Sequence, residues 1–346
     1  MTEIVHVVRS DGFAGVESFV AQLARAQAQQ GDRVAVIGGE PTRMRGVLGH
    51  AVPHAPAATV PDVIRALLAL PSPPDVLNVH MTAAEVATTL ALALRRWRSV
   101  PAVVATCHFA ARRGSGTWRG GRLVAAVAER RVVSQIAVSR FVAEAVGGSP
   151  HVVYPGLARR EAPRALRRPV VLVAQRLEPE KRTEDAVRVF AESGVGARGW
   201  RLQIAGDGSS RNHLTELVAR LGIAASTDFL GRRQDIASLM DGAAILLAPT
   251  PGEGLGLAVL EAMAGGLPVL AAGSGGHVET VGTVTEGQLY ANLPDAAARL
   301  AALAEDESGR AAYGAALQRA QRERFTLERQ VADTAAVYRS AMEAMA

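Results

Sequence analysis

The chain has 346 residues, 49% of them apolar and 21% charged, which is enough for two domains of ordinary size with full cores and is the balance of a globular protein. A net charge of +5 and a pI near 10.1 would suit a nucleic-acid binder, but the basic residues are scattered and aromatics make up only 4%, so no basic, aromatic-lined face is indicated. No apolar run is long enough to span a bilayer, and the N-terminal MTEIVHVVRS enters a strand without a signal-peptide layout, so a cytoplasmic location is expected.

In chain order, residues 4–8 form a β-branched run that predicts a buried strand. The loop Ser10-Asp11-Gly12-Phe13-Ala14-Gly15 follows, then an amphipathic helix over 16–30. The loop lacks G-x-G-x-x-G, so a dinucleotide site is not supported. Strands are predicted at 33–37, 75–79, 101–106 and 134–138, with helices at 60–70, 83–97 and 140–146. Repeated βα units imply a parallel sheet covered on both faces, and ligands bind such sheets at the carboxyl ends of strands. His80 and His108 fall at two such ends. The lone Cys107 has no internal disulfide partner, which fits a reducing compartment.

Between 109 and 131 lies a segment with Arg112, Arg113, Arg119, Arg122 and Trp118 among four glycines. It could receive a substrate, bind a phosphate on it, or touch an anionic membrane surface. The alternation breaks at Tyr154-Pro155-Gly156 and across the Arg/Pro-rich residues 159–169, which read as an interdomain linker. It restarts with strands at 170–174, 202–205 and 243–248, a short helix at 235–240, and a helix at 257–264 stopped by Gly265-Gly266. Helical patterns at 294–305, 309–323 and 326–345 close the chain.

The stretch 245–279, ILLAPTPGEGLGLAVLEAMAGGLPVLAAGSGGHVE, is the most informative. A helix that starts directly after a glycine loop offers unpaired backbone N–H groups and a positive dipole end, a place for an anion or a sugar hydroxyl. Glu253 sits in the loop and Glu261 follows eight positions on. Upstream, Arg176 and Lys181 follow a strand, and Lys181 is the only lysine of the chain. A guanidinium fork and an ammonium point charge are suited to a diphosphate.

The pattern P-x-x-x-E-G-x-G-L-x-x-x-E-A-M-A-x-G-x-P-V resembles the donor-site signature of retaining glycosyltransferase family 4, whose members have the GT-B fold: two Rossmann-like βαβ domains facing each other across a cleft. The remaining motifs are similar in turn. Gly15-Val16-Glu17 resembles the family's N-terminal glycine loop, Thr106-Cys107-His108 its active-site histidine after a strand, and Ser139-Arg140-Phe141 its V-S-x-F step. Arg176-Leu177 through Lys181 resembles the diphosphate loop G-R-L-x-x-x-K-G, with Gln175 and Arg182 in place of its two glycines, which implies a stiffer loop. Gly206-Asp207-Gly208 is similar to a G-x-G turn, and Asp228 to Arg232 to the loop that meets the nucleobase.

The resemblance implies an acceptor-side domain over 1–160, a donor-binding domain over 161–325 and a terminal helix over 326–346 that returns to the first domain. It implies a retaining hexosyltransferase moving a sugar from a nucleoside-diphosphate sugar to a hydroxyl of a small-molecule, natural-product or lipid-linked acceptor. Glu253, with the N–H groups of Gly254, Leu255, Gly256 and Leu257, would hold the sugar, Glu261 the ribose, and Arg176 and Lys181 the diphosphate. Gly15, Gly206 and Arg232 would complete the donor site. His108 would face the sugar, with His80, Arg112, Arg113 and Trp118 on the acceptor side. No cofactor and no metal is expected, since the two cations replace it; the partners are the nucleotide sugar and the acceptor, without nucleic acid, and peripheral contact with a membrane is left open. A GT-B epimerase or hydrolase acting on the donor alone is the alternative. A glycoside hydrolase, which needs two carboxyls across the scissile bond, fits poorly beside a cationic diphosphate grip.

Overall fold

A computed structural model describes the chain except for residues 96, 98, 112–127, 129, 163–166, 286 and 346. It divides into two compact units: Met1–Pro155 together with Leu327–Ala346, and Gly156–Thr326.

The first unit holds a parallel sheet of seven strands: β1 (Glu3–Val8), β2 (Arg33–Ile37), β3 (His54–Ala55), β4 (Val76–His80), β5 (Ala102–Cys107), β6 (Ser134–Ala137) and β7 (His151–Val152), in the order β3-β2-β1-β4-β5-β6-β7. The order reverses between β1 and β4. Alternation along these strands sorts two different faces. Val5, Val7, Leu77, Val79, Val103 and Ala105 point into an apolar core with Val63, Leu67, Ala84, Ala87 and Ala91 of the helices Val60–Leu68 and Thr82–Leu94. The opposite face carries polar groups. His6 is in register with Asn78, and His80 with both Val8 and Thr106; all four polar residues are buried. This face is reached by Gln27 of the helix Gly15–Gln29 and by Tyr338 of the helix Leu327–Glu343. The Tyr338 hydroxyl meets Asn78 Nδ2, and Thr106 Oγ1 donates to Asn78 Oδ1 at 2.8 Å.

The second unit holds a parallel sheet of six strands: β8 (Arg168–Ala174), β9 (Arg201–Ala205), β10 (Thr227–Gly231), β11 (Ala243–Ala248), β12 (Val269–Ala272) and β13 (Gln288–Tyr290), ordered β10-β9-β8-β11-β12-β13. Here the reversal falls between β8 and β11. In both sheets the loops following the two strands at the reversal diverge to opposite faces and leave a crevice at the strand ends.

Among the departures from the sequence-based expectation are three local features. A helix at Pro41–Leu48 was not indicated by apolar spacing, because only Met44 and Leu48 are buried on it; its start is set instead by Pro41 and by the Glu40 carboxylate, which accepts from the N–H groups of Thr42 and Arg43 at 3.0 and 2.8 Å. The helix expected over 83–97 ends at Leu94, where Arg95 turns to an extended conformation. The Asp228–Arg232 region, expected as a loop, is an edge strand up to Gly231, since β9 offers it a free side to pair with.

The Arg/Pro-rich residues that read as a linker belong to the second unit where they are described. Arg167 donates to the carbonyls of Met240, Ala243 and Gly265 at 2.6, 3.0 and 2.7 Å, and Arg160 meets Asp241 and the carbonyl of Ala237. Arg167 satisfies carbonyls at the ends of two helices and Arg160 adds an ion pair, which is why a segment without apolar pattern is held in place. Among the described residues no helix is long and apolar enough to cross a membrane.

Candidate active site

In the second unit, the crevice lies between the loop after β8 and the loop after β11. Lys181 and Glu253, 72 residues apart, meet there: Lys181 Nζ donates to Glu253 Oε2 at 2.6 Å, with both side chains half-buried. Gln175, the first residue after β8, braces this contact. Its Nε2 donates to the Lys181 carbonyl at 2.8 Å and to Thr183 Oγ1 at 2.9 Å, while its Oε1 accepts from Thr250 Oγ1 at 3.0 Å. Thus the side chain that stands where the family pattern has a glycine ties the two crevice loops together. Arg182, at the second such position, adopts φ 53°, in the left-handed region. That conformation costs a non-glycine residue about 1 kcal/mol, and the two-pronged bond to Asp185, at 2.9 and 3.1 Å, offsets it.

The Gln175 brace leads to a specific expectation. Gln175→Gly should lower the stability of the second unit by about 1–2 kcal/mol and weaken binding of a free nucleoside diphosphate, because the loop carrying Lys181 loses its bonds to the Lys181 carbonyl and the Thr183 hydroxyl. Thermal unfolding and titration calorimetry check this; unchanged values in both would remove Gln175 from the crevice architecture.

The glycines expected at the site have steric reasons to be there. A Cβ on Gly206 would lie 1.8 Å from the Gln175 carbonyl oxygen, so only glycine lets the turn after β9 pass beneath the β8 loop. Gly256 has φ 92° and caps the helix Leu257–Ala264 without a side-chain bond, leaving that helix start uncapped by any side chain. Gly254 and Leu255 are buried beneath the turn Gly273–Gly276, and the N–H of Gly276 donates to the Glu253 carbonyl at 2.8 Å. The β12 loop therefore buttresses the loop that carries Glu253.

Glu261 lies on the inner part of its helix, and burial pushes its carboxyl above the usual carboxylate range, with the Arg160 guanidinium partly opposing that shift. It makes no direct hydrogen bond to Lys181 or Glu253. Arg176 is exposed and turns to Glu180 at 3.0 Å, and Arg232 is exposed after the edge strand β10. The structure thus unites Lys181 and Glu253 directly and joins none of Arg176, Glu261 and Arg232 to that pair by a hydrogen bond or ion pair.

One residue of the same crevice had no role assigned from the sequence. His277 is buried, its Nδ1 lies 3.2 Å from the Ala272 carbonyl, and desolvation holds its pKa below the ordinary value while the nearby Glu253 carboxylate opposes the shift and Lys181 reinforces it. Its position in the stretch GSGGHVE was visible; the ionic pair beside it was not.

In the first unit, Gly15 is the exposed first residue of the helix Gly15–Gln29. Glu17 closes this helix start by accepting from the Ala14 N–H at 2.8 Å. His108 follows β5 and is half-buried, with the edge of Phe19 against its ring at a centroid distance of 4.9 Å. His80 is wholly buried, and its Nδ1 lies 3.0 Å from His108 Nε2. Burial holds His108 and His6 at about 4 and pushes His80 well below its ordinary value. Arg112, Arg113 and Trp118 lie outside the described residues.

Two family models match the chain: "Glycosyltransferase Family 4" over residues 13–159 and "Glycosyl transferases group 1" over 157–320. The chain belongs to the GT-B glycosyltransferases of family 4. Among curated relatives, 2-deoxystreptamine glucosyltransferase of Streptomyces kanamyceticus is 35% identical over 125 residues, covering 36% of this chain and 32% of the relative. D-inositol 3-phosphate glycosyltransferase of Mycobacterium bovis is 31% identical over 228 residues, covering 58% of this chain and 47% of the relative. The chain therefore spans about half or less of the length of these relatives. In fold, it is similar to Anabaena HepE, solved with UDP and glucose, at a TM-score of 0.82 with 20% identity over 98% of this chain and 100% of that one.

Proposed function

We propose that this protein is a retaining hexosyltransferase that moves a sugar from a nucleoside-diphosphate sugar to a hydroxyl of an acceptor molecule. The observation that carries the reading is the Lys181–Glu253 pair, set at the strand-order reversal of the second sheet between a braced loop and a glycine-gated helix start. An ammonium held next to a carboxylate is poised to be shared. When a diphosphate arrives, Lys181 turns part of its charge to the phosphate oxygens, and Glu253 becomes available to accept from sugar hydroxyls. Arg176, exposed on the same loop, adds a second cation. Negative charge grows on the departing diphosphate in the transition state, so these cations stabilise it more than the ground state. They do the work of a metal ion, and activity is expected to survive chelation of divalent cations. Glu261 accepts from the ribose; desolvation strengthens such a bond.

In the first unit, His108 serves a hydroxyl of the substrate. The names of the relatives, and the UDP and glucose bound by the fold neighbour, make UDP-glucose, 2-deoxystreptamine and inositol 3-phosphate the compounds to try first as donor and acceptors.

The two carboxylates separate in a calorimetric test. Glu253→Gln should weaken binding of the nucleotide sugar while leaving the free nucleoside diphosphate nearly unaffected, whereas Glu261→Gln should weaken both. The reverse pattern would refute the roles. Product analysis decides the reaction: transfer that requires an acceptor supports the reading, and conversion or hydrolysis of the donor at the same rate without any acceptor overturns it.

A further inference from the structure

The polar face of the first sheet carries a chain of four side chains of which only the last two were candidates. Gln27 Oε1 lies 2.7 Å from His6 Nε2, His6 Nδ1 lies 3.1 Å from His80 Nε2, and His80 Nδ1 lies 3.0 Å from His108 Nε2. His6 and His80 are completely buried, and Gln27 nearly so.

A neutral imidazole has one N–H and one lone pair. Each ring-to-ring contact here can hold only one proton, so the three rings cannot choose their tautomers independently. The amide oxygen of Gln27 can only accept. His6 must therefore donate from Nε2, which leaves its Nδ1 to accept from His80 Nε2. His80 Nδ1 must then accept from His108 Nε2. The sequence of constraints ends at His108 Nδ1, a lone pair with no hydrogen-bond partner among the described residues. Phe19 packs edge-on against both the His80 and the His108 rings and resists a ring flip that would exchange the two nitrogens. Simple satisfaction of a buried histidine needs far less: His277 manages with one backbone carbonyl.

We propose that Gln27 and His6 are positioning residues which, through His80, hold His108 in its Nε2–H form and so present the Nδ1 lone pair, at the carboxyl end of β5, as the acceptor of a hydrogen bond from a substrate hydroxyl. The use of that lone pair on a hydroxyl rests on the glycosyltransferase reading, whereas the tautomer lock is a property of the first unit alone. The chain explains why a lone histidine within the β-branched first strand is tolerated at the centre of a sheet: its two nitrogens are both engaged, and the direction of the bonds is set at the buried end, away from any ligand.

Nitrogen-15 spectra of the imidazole rings test the lock, with His6, His80 and His108 assigned by single His→Gln variants. In the unsubstituted protein near pH 7.5, all three rings should show a protonated Nε2 and an unprotonated Nδ1, with couplings across the hydrogen bonds linking His80 Nε2 to His6 Nδ1 and His108 Nε2 to His80 Nδ1. Gln27→Met keeps the volume but removes the amide oxygen, and a fraction of His108 protonated at Nδ1 should appear. Gln27→Glu retains an oxygen acceptor and should keep the original pattern. A proton on Nδ1 of His108 in the unsubstituted protein, or in Gln27→Glu, overturns the proposal even if Gln27→Met does not fold. So does a folded Gln27→Met variant with an unchanged His108 tautomer. Turnover separates the two levels of the argument. Lower kcat in Gln27→Met at unchanged affinity for free nucleoside diphosphate supports the use of the lone pair. Undiminished kcat with a scrambled tautomer removes His108 from the reaction and leaves the lock standing.

Discussion

Lys181→Ala is expected to lower kcat/KM for the sugar donor by about a hundredfold or more, the usual cost of removing one donor to a developing charge. The geometry makes the loss larger than for a surface lysine. Lys181 Nζ is 2.6 Å from Glu253, and the pair is half-buried beside His277; without the ammonium, Glu253 faces an incoming diphosphate as an uncompensated like charge. Affinity for the free nucleoside diphosphate should fall with turnover. Lys181→Arg should recover only part of the loss, because a planar fork cannot occupy the point position that an ammonium fills between carboxylate and phosphate. Steady-state kinetics and calorimetry on the two variants check the assignment; full turnover in Lys181→Ala would reject the crevice as the donor site. The double substitution with Glu253→Gln is informative as well. Residues in direct contact should show losses that do not add.

The second large effect is on stability, and its direction follows from the buried histidines. Burial holds His6 and His108 at about 4 in the folded protein and pushes His80 well below the ordinary value of 6.5. Between pH 6.5 and about 4 the unfolded chain therefore binds protons that the folded chain does not, and stability falls as the pH drops through that window. Above 6.5 no such penalty exists. For the fully buried His6 alone the loss by pH 4 amounts to about 3 kcal/mol, and the chain of hydrogen bonds reinforces it: a second proton on His6 or His80 would place two N–H groups in one contact. In the second unit, His277 shifts the same way while Glu261, whose pKa is raised by burial, favours folding as the pH falls. A probe confined to the first unit is therefore needed. Hydrogen exchange of the β1, β4 and β5 amides should accelerate steadily from pH 6.5 to 4.5 once the intrinsic pH dependence of exchange is removed. A flat profile would show that the three rings are not held neutral by the fold.

What the amino-acid sequence determined by itself was local. Apolar runs of strand length and helical spacing are properties of neighbours in the chain, and from them two parallel α/β halves were legible, along with the breaks at Gly265-Gly266 and at Tyr154-Pro155-Gly156. The glycine loop with Glu253 and Glu261 was legible for the same reason, since a loop and the helix it starts are contiguous. The tertiary structure alone decided which distant residues meet. Lys181 reaches Glu253 because β8 and β11 lie side by side where the strand order reverses, and nothing in either motif states that adjacency. Gln175 read only as a missing glycine, yet its amide finds Thr250, 75 residues on, across the same crevice. His6 read as a spacer in an apolar strand; it becomes the hinge of a proton-ordered chain because parallel register sets it diagonally beside His80, and the first helix lays Gln27 over it. Register and strand order are chosen by the burial of whole faces rather than by any one residue, and so the partners of a buried polar side chain become visible only when the sheet is assembled.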